Sequence, residues 1–228
     1  MRRTNRQALI TDLNPLSPVS ETYRMLRTNL QFLIQEQELE VLSVVSAHPG
    51  EGKTTTLVNL AITFANENRK VILIDGDLRR STLHHIFHKN NDFGLSSVLR
   101  KYQELSNAIH STHINNLDLI TAGPVPINPS ELLGSQGMKD VMEQLKARYD
   151  LILLDSPPLL VADSKIIARQ SDGVMMIVRS GKTKRDDAWK VKTQLENVNV
   201  KLLGVVLNNH KLKNNNDYYN YYRDNKNL

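Results

Sequence analysis

Residues 46–55 read SAHPGEGKTT, with Ala47 followed at the spacing of a phosphate-wrapping loop by Gly52, Lys53 and Thr54. Gly50 and Gly52 let the backbone curl so that consecutive N–H groups converge, and a helix starting there points its positive end at the same spot. Such a loop takes the phosphates of a nucleotide. Within it Lys53 reaches the β- and γ-phosphates, and the Thr54 hydroxyl is a ligand for Mg2+. Thr55, just inside the helix, is placed to touch the α-phosphate. Gly50, Glu51, Gly52, Lys53, Thr54 and Thr55 are therefore the nucleotide-binding candidates here.

Two further stretches offer oxygen ligands. "LILLDSPP" ends an apolar run on Asp155, and "VILIDGDLRR" ends another on Asp75 with Asp77 two residues on. Residues i and i+2 of an extended chain point the same way, so both carboxylates can face one site. Magnesium needs few protein ligands, and a carboxylate beside it can accept a proton from an attacking hydroxyl. A strand-end aspartate alone is usually a turn or cap residue. Three of them beside a phosphate loop read as a metal and catalytic site.

These residues must be carried by strands that end together. Near-continuous Val/Ile/Leu runs occur at 41–46, 71–75, 117–121, 150–155, 173–178 and 202–207. They lack strict alternation, as expected of strands covered on both faces. Helix patterns at about 53–67, 135–148, 163–170 and 185–197 separate them, which predicts a doubly wound, mainly parallel α/β sheet. Ahead of the first strand, "SPVSETYRMLRTNLQFLIQ" reads as an extra helix with Ser and Pro at its start. The expected divisions are an N-terminal segment over 1–40, a nucleotide-binding domain over 41–207 and a tail over 208–228. The tail is Asn-rich and poor in aliphatics, so it is expected to be mobile. It also holds Tyr218, Tyr219, Tyr221 and Tyr222, four of the seven tyrosines of the protein.

Composition narrows the class further. The 228 residues are 40% hydrophobic and 23% charged, ordinary for a soluble globular chain. With no cysteine, disulfides and thiolate metal sites are excluded. No apolar run reaches the length of a membrane span or signal sequence, which predicts a cytosolic protein. The formal charge of +5 suits an acidic partner or anionic surface as well as it suits a mildly basic soluble face.

The ordered set of motifs resembles the bacterial tyrosine kinases that govern capsule and exopolysaccharide synthesis. It comprises "PGEGKTT", "LIDGDLRR", "LLDSPP", the loop "TAGPVPINPSELL" at 121–133, Glu21-x-x-Arg24-x-x-Arg27 and the terminal tyrosine cluster. The resemblance covers nearly the whole chain and implies a P-loop NTPase fold of the partitioning-ATPase kind. It implies that ATP and Mg2+ bind at Lys53, Thr54, Asp77 and Asp155, and that Asp75 and Asp77 form an extra acidic motif. Asp77 is then nearest the acceptor hydroxyl, and the four tail tyrosines are autophosphorylation sites. Glu21, Arg24 and Arg27 pair subunits into a homo-oligomeric ring in such proteins; a charged helix face is otherwise usually just solvated. Further implied are a membrane-spanning activator that holds the chain at the inner face of the membrane, a cognate phosphotyrosine phosphatase and no nucleic-acid partner. Asn208 sits where fold relatives contact adenine.

The sequence departs from the family pattern at Arg80-Ser81, Ile127 and Thr54, none of which removes a reacting group. The alternative is a partitioning-type ATPase switch without kinase activity. Those relatives usually carry a lysine where this chain has His48, and a tyrosine-rich tail offers a different phosphate acceptor. His84, His85 and His88 lack a third ligand motif and read as a solvated or satisfied helix face. Trp189 reads as a packing residue.

Overall fold

The computed structural model describes residues 9–210; the tail tyrosines lie outside the described residues. All six apolar runs form strands. The elements, in order, begin with α1 (Ile10–Leu13), α2 (Pro18–Gln37), β1 (Val41–Val45), α3 (Lys53–Ala65) and β2 (Val71–Asp75). Three short helices follow, α4 (Leu83–Phe87), α5 (Leu95–Leu99) and α6 (Leu105–Ala108), then β3 (Ile109–Ser111) and β4 (Leu117–Ile120). The second half runs α7 (Pro129–Leu133), α8 (Gln136–Lys146), β5 (Leu151–Asp155), α9 (Ala162–Arg169), β6 (Gly173–Arg179), α10 (Arg185–Glu196) and β7 (Leu202–Asn208). The last strand thus reaches one residue into the segment expected to open the tail.

The strands form one sheet in the order β3-β4-β2-β5-β1-β6-β7. Every pairing is parallel except β3 with β4, a three-residue edge that no pattern in the sequence announces. Alternate residues divide between two apolar layers. Leu42, Val44, Leu73 and Leu153 pack with α2, α3 and α4, whereas Ile72, Ile74, Ile152 and Leu154 pack with α5 to α9. Both faces being covered, buried strands need apolar residues at every position. β7 corrects that expectation at the far edge, where Val205 and Leu207 are 57% and 53% exposed.

From β1 the chain turns to one side, toward β2, and from β5 it turns to the other, toward β6. These two strands are neighbours, so the crevice beyond their carboxyl ends is the switch point where open α/β sheets take ligands. The loop 46–52 and Asp155 both lie there.

α3 is buried on nearly all sides, including the polar Thr56, Asn59 and Thr63 on one face. The N-terminal segment meets the first two, while the Thr63 hydroxyl donates to the Leu60 carbonyl of the same helix at 2.7 Å. Asn59 Oδ1 accepts hydrogen bonds from the Thr11 N–H and hydroxyl, each at 2.9 Å, and its amide donates to the Thr55 carbonyl at 2.8 Å. Tyr23 shares a hydrogen bond with the Thr56 side chain. α2 begins as its sequence predicts, with Pro18 in the first turn and the Ser17 hydroxyl accepting from the Ser20 N–H at 3.0 Å.

Candidate active site

A phosphate loop works when its N–H groups face inward, which requires its carbonyls to be satisfied outward. Two late strands do this. Arg179, ending β6, donates to the Gly50 carbonyl at 3.1 Å, and Asn208, ending β7, donates to the Glu51 carbonyl at 2.9 Å. The buried Glu51 carboxylate accepts from the His48 N–H at 3.0 Å and from the Thr183 hydroxyl. His48 itself pairs with Asp187 at 3.1 Å. Gly52 has φ +100°, and a Cβ there would collide with the Asn208 amide. Only glycine meets both conditions.

Lys53 is 7% exposed, and its ammonium donates to the Ser46 hydroxyl at 2.9 Å. Burial pulls its pKa below the ordinary lysine range, while Asp155, Asp77 and Glu51 push it back up. The Thr54 hydroxyl donates to Asp155 Oδ2 at 2.6 Å, joining the first turn of α3 to the end of β5. Thr55 follows on the same turn, half-buried.

The register places Asp75 directly beside Asp155 on adjacent strands, about 4.8 Å apart by strand spacing. Asp75 is fully buried; one oxygen accepts from the Thr82 and Leu83 N–H groups at 3.0 Å each. Its other oxygen has no hydrogen-bond partner among the described residues. Burial, then the charge of Asp155, pushes Asp75 up to about 8. Burial also raises Asp155 to about 6, against the pull of Thr54 and Lys53. Asp77 lies past the strand, half-buried, accepting from the Arg80 N–H at 3.0 Å. Gly76 between the two acids lies against β5: its N–H donates to the Asp155 carbonyl at 3.0 Å, and a Cβ would sit 2.5 Å from that oxygen.

Hard oxygen donors, two of them carboxylates raised by burial and by a neighbouring acid, fit a hard divalent cation and a polyphosphate. Among the described residues no three His, Cys, Asp or Glu side chains form a ready metal cage.

Elsewhere the expected residues have other surroundings. Glu21 pairs with Arg24 at 2.5 Å within α2, and Arg24 also donates to the Pro15 carbonyl. Arg27 reaches inward, pairing with Glu67 at 2.6 Å just past α3. Trp189 corrects its expectation: α10 buries Val191 and Leu195 instead, and the indole is 62% exposed with Lys192 over its ring. Ser46, Gly76, Arg179 and Thr183 were not singled out from sequence. A glycine between two strand-end acids was the one available signal.

A family profile described as "AAA domain" matches residues 39–202. The chain is similar to tyrosine-protein kinase YwqD of Bacillus subtilis, 41% identical over 93% of this chain and 90% of that one. It is 37% identical to tyrosine-protein kinase CpsD of Streptococcus pneumoniae serotype 4, over 85% of each chain. Tyrosine-protein kinase etk of Escherichia coli K12 is 36% identical over 86% of this chain but 27% of its own length. Among solved structures, the chimerical protein CapA2B2 superposes with a TM-score of 0.86 at 36% identity, covering 90% of this chain and 91% of that one. The septum site-determining protein MinD from Pyrococcus horikoshii, complexed with Mg-ADP, gives 0.64 at 27% identity, covering 74% and 69%.

Proposed function

The chain belongs to the bacterial tyrosine-protein kinases within the AAA-domain family, and we propose that it phosphorylates its own tail tyrosines, between subunits, to regulate capsular or exopolysaccharide synthesis and export. The observation that carries the reading is the meeting of the phosphate loop, Thr54–Asp155 and the Asp75-Gly76-Asp77 turn at one switch point. Bound ATP–Mg2+ would supply the phosphoryl group and the positive charge that offsets three neighbouring acids. Gly50 to Thr55 would hold the phosphates, with Lys53 stabilising the charge that builds on them. Thr54, Asp77 and Asp155 would hold the metal. The acceptor tyrosine oxygen bonds to the γ-phosphorus as the bond to ADP breaks, and its proton passes to Asp77.

The four tail tyrosines are the proposed acceptors, beginning ten residues beyond Asn208. Trans-phosphorylation needs neighbours, and we assign Glu21 and Arg24, both partly exposed on α2, to a ring contact. A membrane-spanning activator is the proposed upstream partner, with a phosphatase reversing the modification. The likeness to the chimerical protein CapA2B2 over 90% of this chain supports the activator. Anti-phosphotyrosine detection after incubation with ATP–Mg2+, with and without the last eleven residues, tests the reading. Signal from the full chain alone is expected. ATP consumption with no phosphotyrosine would instead favour the partitioning-type switch, the reading that His48 in the lysine position disfavours.

A further inference from the structure

Asp163 was assigned no role from its sequence, "VADSKI", yet it is fully buried at the first turn of α9 and ties two loops together. Arg79 of the acidic turn donates to it twice, from Nε at 2.7 Å and Nη2 at 3.3 Å. The Ser130 hydroxyl, from the start of α7, donates to the same carboxylate. Burial pushes the Asp163 pKa up, but these hydrogen bonds and the Arg79 charge outweigh it and hold the group below the ordinary carboxylate range.

The place of Arg79 matters. It stands two residues after Asp77, in a turn held by the Gly76 N–H on Asp155, the Leu78 side chain in the core, the Arg80 N–H on the Asp77 carboxylate and the Arg79 guanidinium on Asp163. The Arg80 N–H holds the Asp77 carboxylate within the turn, and the Arg79–Asp163 pair ties that turn to α9. Ser130 brings in the loop after β4, which carries the exposed Val125 and Ile127. A buried carboxylate is a costly anchor where apolar packing would serve stability as well, and what this one adds is a fixed geometry between the two loops.

We propose that Asp163 is a positioning residue for phosphoryl transfer, holding the acidic turn through Arg79 and the following loop through Ser130 so that Asp77 meets the acceptor hydroxyl in one place. This rests on the role of Asp77 proposed above. The test uses the full-length chain and compares Arg79→Met, Asp163→Asn and Asp77→Asn, with each of the first two also combined with the third. Phosphotyrosine formation is followed against ATP concentration, with ADP–Mg2+ affinity and melting temperature measured alongside. Arg79→Met is expected to lower kcat on the order of 10- to 100-fold through misplacement, with KM for ATP within about twofold of the parent. On the Asp77→Asn background it should lower the residual rate no further, because it acts through that residue. Added guanidinium ion should restore part of the Arg79→Met rate and none of the Asp77→Asn rate. Asp163→Asn, which keeps a hydrogen-bond acceptor for Arg79, should fall between the parent and Arg79→Met. The proposal is overturned by a folded Arg79→Met variant with full kcat. It is equally overturned by losses that add to those of Asp77→Asn, or that track melting temperature without guanidinium rescue. A full rate in Asp77→Asn is a separate failure, of the role given to Asp77 itself.

Discussion

At Lys53 one ammonium is buried among three acids and points at the strand end through Ser46. Lys53→Met should abolish phosphotyrosine and weaken ATP binding while leaving the fold intact, since burial already works against the charge it removes. Nucleotide titration and thermal melting check this; full activity with normal ATP dependence removes the site. Asp75 gives a pH signature. Its folded pKa of about 8 lies above the unfolded value near 3.8. Between those values the folded chain holds a proton that the unfolded chain releases, so this stability is present on the acid side and lost as pH rises through about 8. Asp155 has the same sign but is spent by about 6. The melting temperature of the nucleotide-free protein should therefore fall between about pH 6.5 and 8, and Asp75→Asn should flatten that slope. An unchanged slope in the variant would mean that Asp75 is already ionised there. The loop, the strand-end acids and their joint meaning were legible because each is a local run of residues. Asn208 on Glu51 and Arg79 on Asp163 were not, since their partners lie 157 and 84 residues apart.

Among the elements, α3 joins the phosphate loop to the N-terminal segment. Of its buried polar face, Thr56 and Asn59 are explained by what covers them, the Tyr23 side chain and Thr11, whereas Thr63 bonds back to its own helix. Asn59→Ala would strand the Thr11 N–H and hydroxyl, which is expected to cost about 1–3 kcal/mol. A double-mutant cycle with Thr11→Val should return a coupling of roughly 0.5–3 kcal/mol by denaturant unfolding; additivity would show that the clasp carries no energy. Arg27 is half-committed to the same clasp through Glu67, an exposed partner, so that pair contributes about 1 kcal/mol at most. Assembly is therefore best probed by Glu21→Ala and Arg24→Ala, which should give a folded but smaller species by light scattering. An unchanged size returns that face to solvent. Long strands and helices were readable from periodicity. The five-residue helices α4, α5 and α7 and the three-residue β3 were not, because less than two turns or three residues cannot establish a period.

For the whole molecule, charge decides how phosphorylation feeds back on assembly. Four phosphotyrosines would add about −6 to −8 near neutral pH, against a formal +5. A tail entering a neighbour's site meets the charges of Asp77 and Asp155, so once modified it should leave, with Mg2+ and Lys53 offsetting part of the repulsion. Sedimentation of the unmodified protein, the phosphorylated protein and a Tyr218/219/221/222→Phe variant should show the phosphorylated form less assembled at low salt, and less distinct at high salt. Equal assembly of the phosphorylated and Phe forms removes this feedback without touching the kinase assignment. The support that Asn208 gives to Glu51 has a consequence in time. During synthesis the loop at 46–52 leaves the ribosome long before the strand that props its carbonyl, with 157 residues between the two. At about 5–20 residues per second that is roughly 8–30 s of translation. For most of it the nascent chain carries a phosphate loop whose outer carbonyls have yet to meet their late-strand donors. The loop is therefore expected to close on nucleotide only when the chain is almost complete, which nucleotide binding by chains cut before β7 would check.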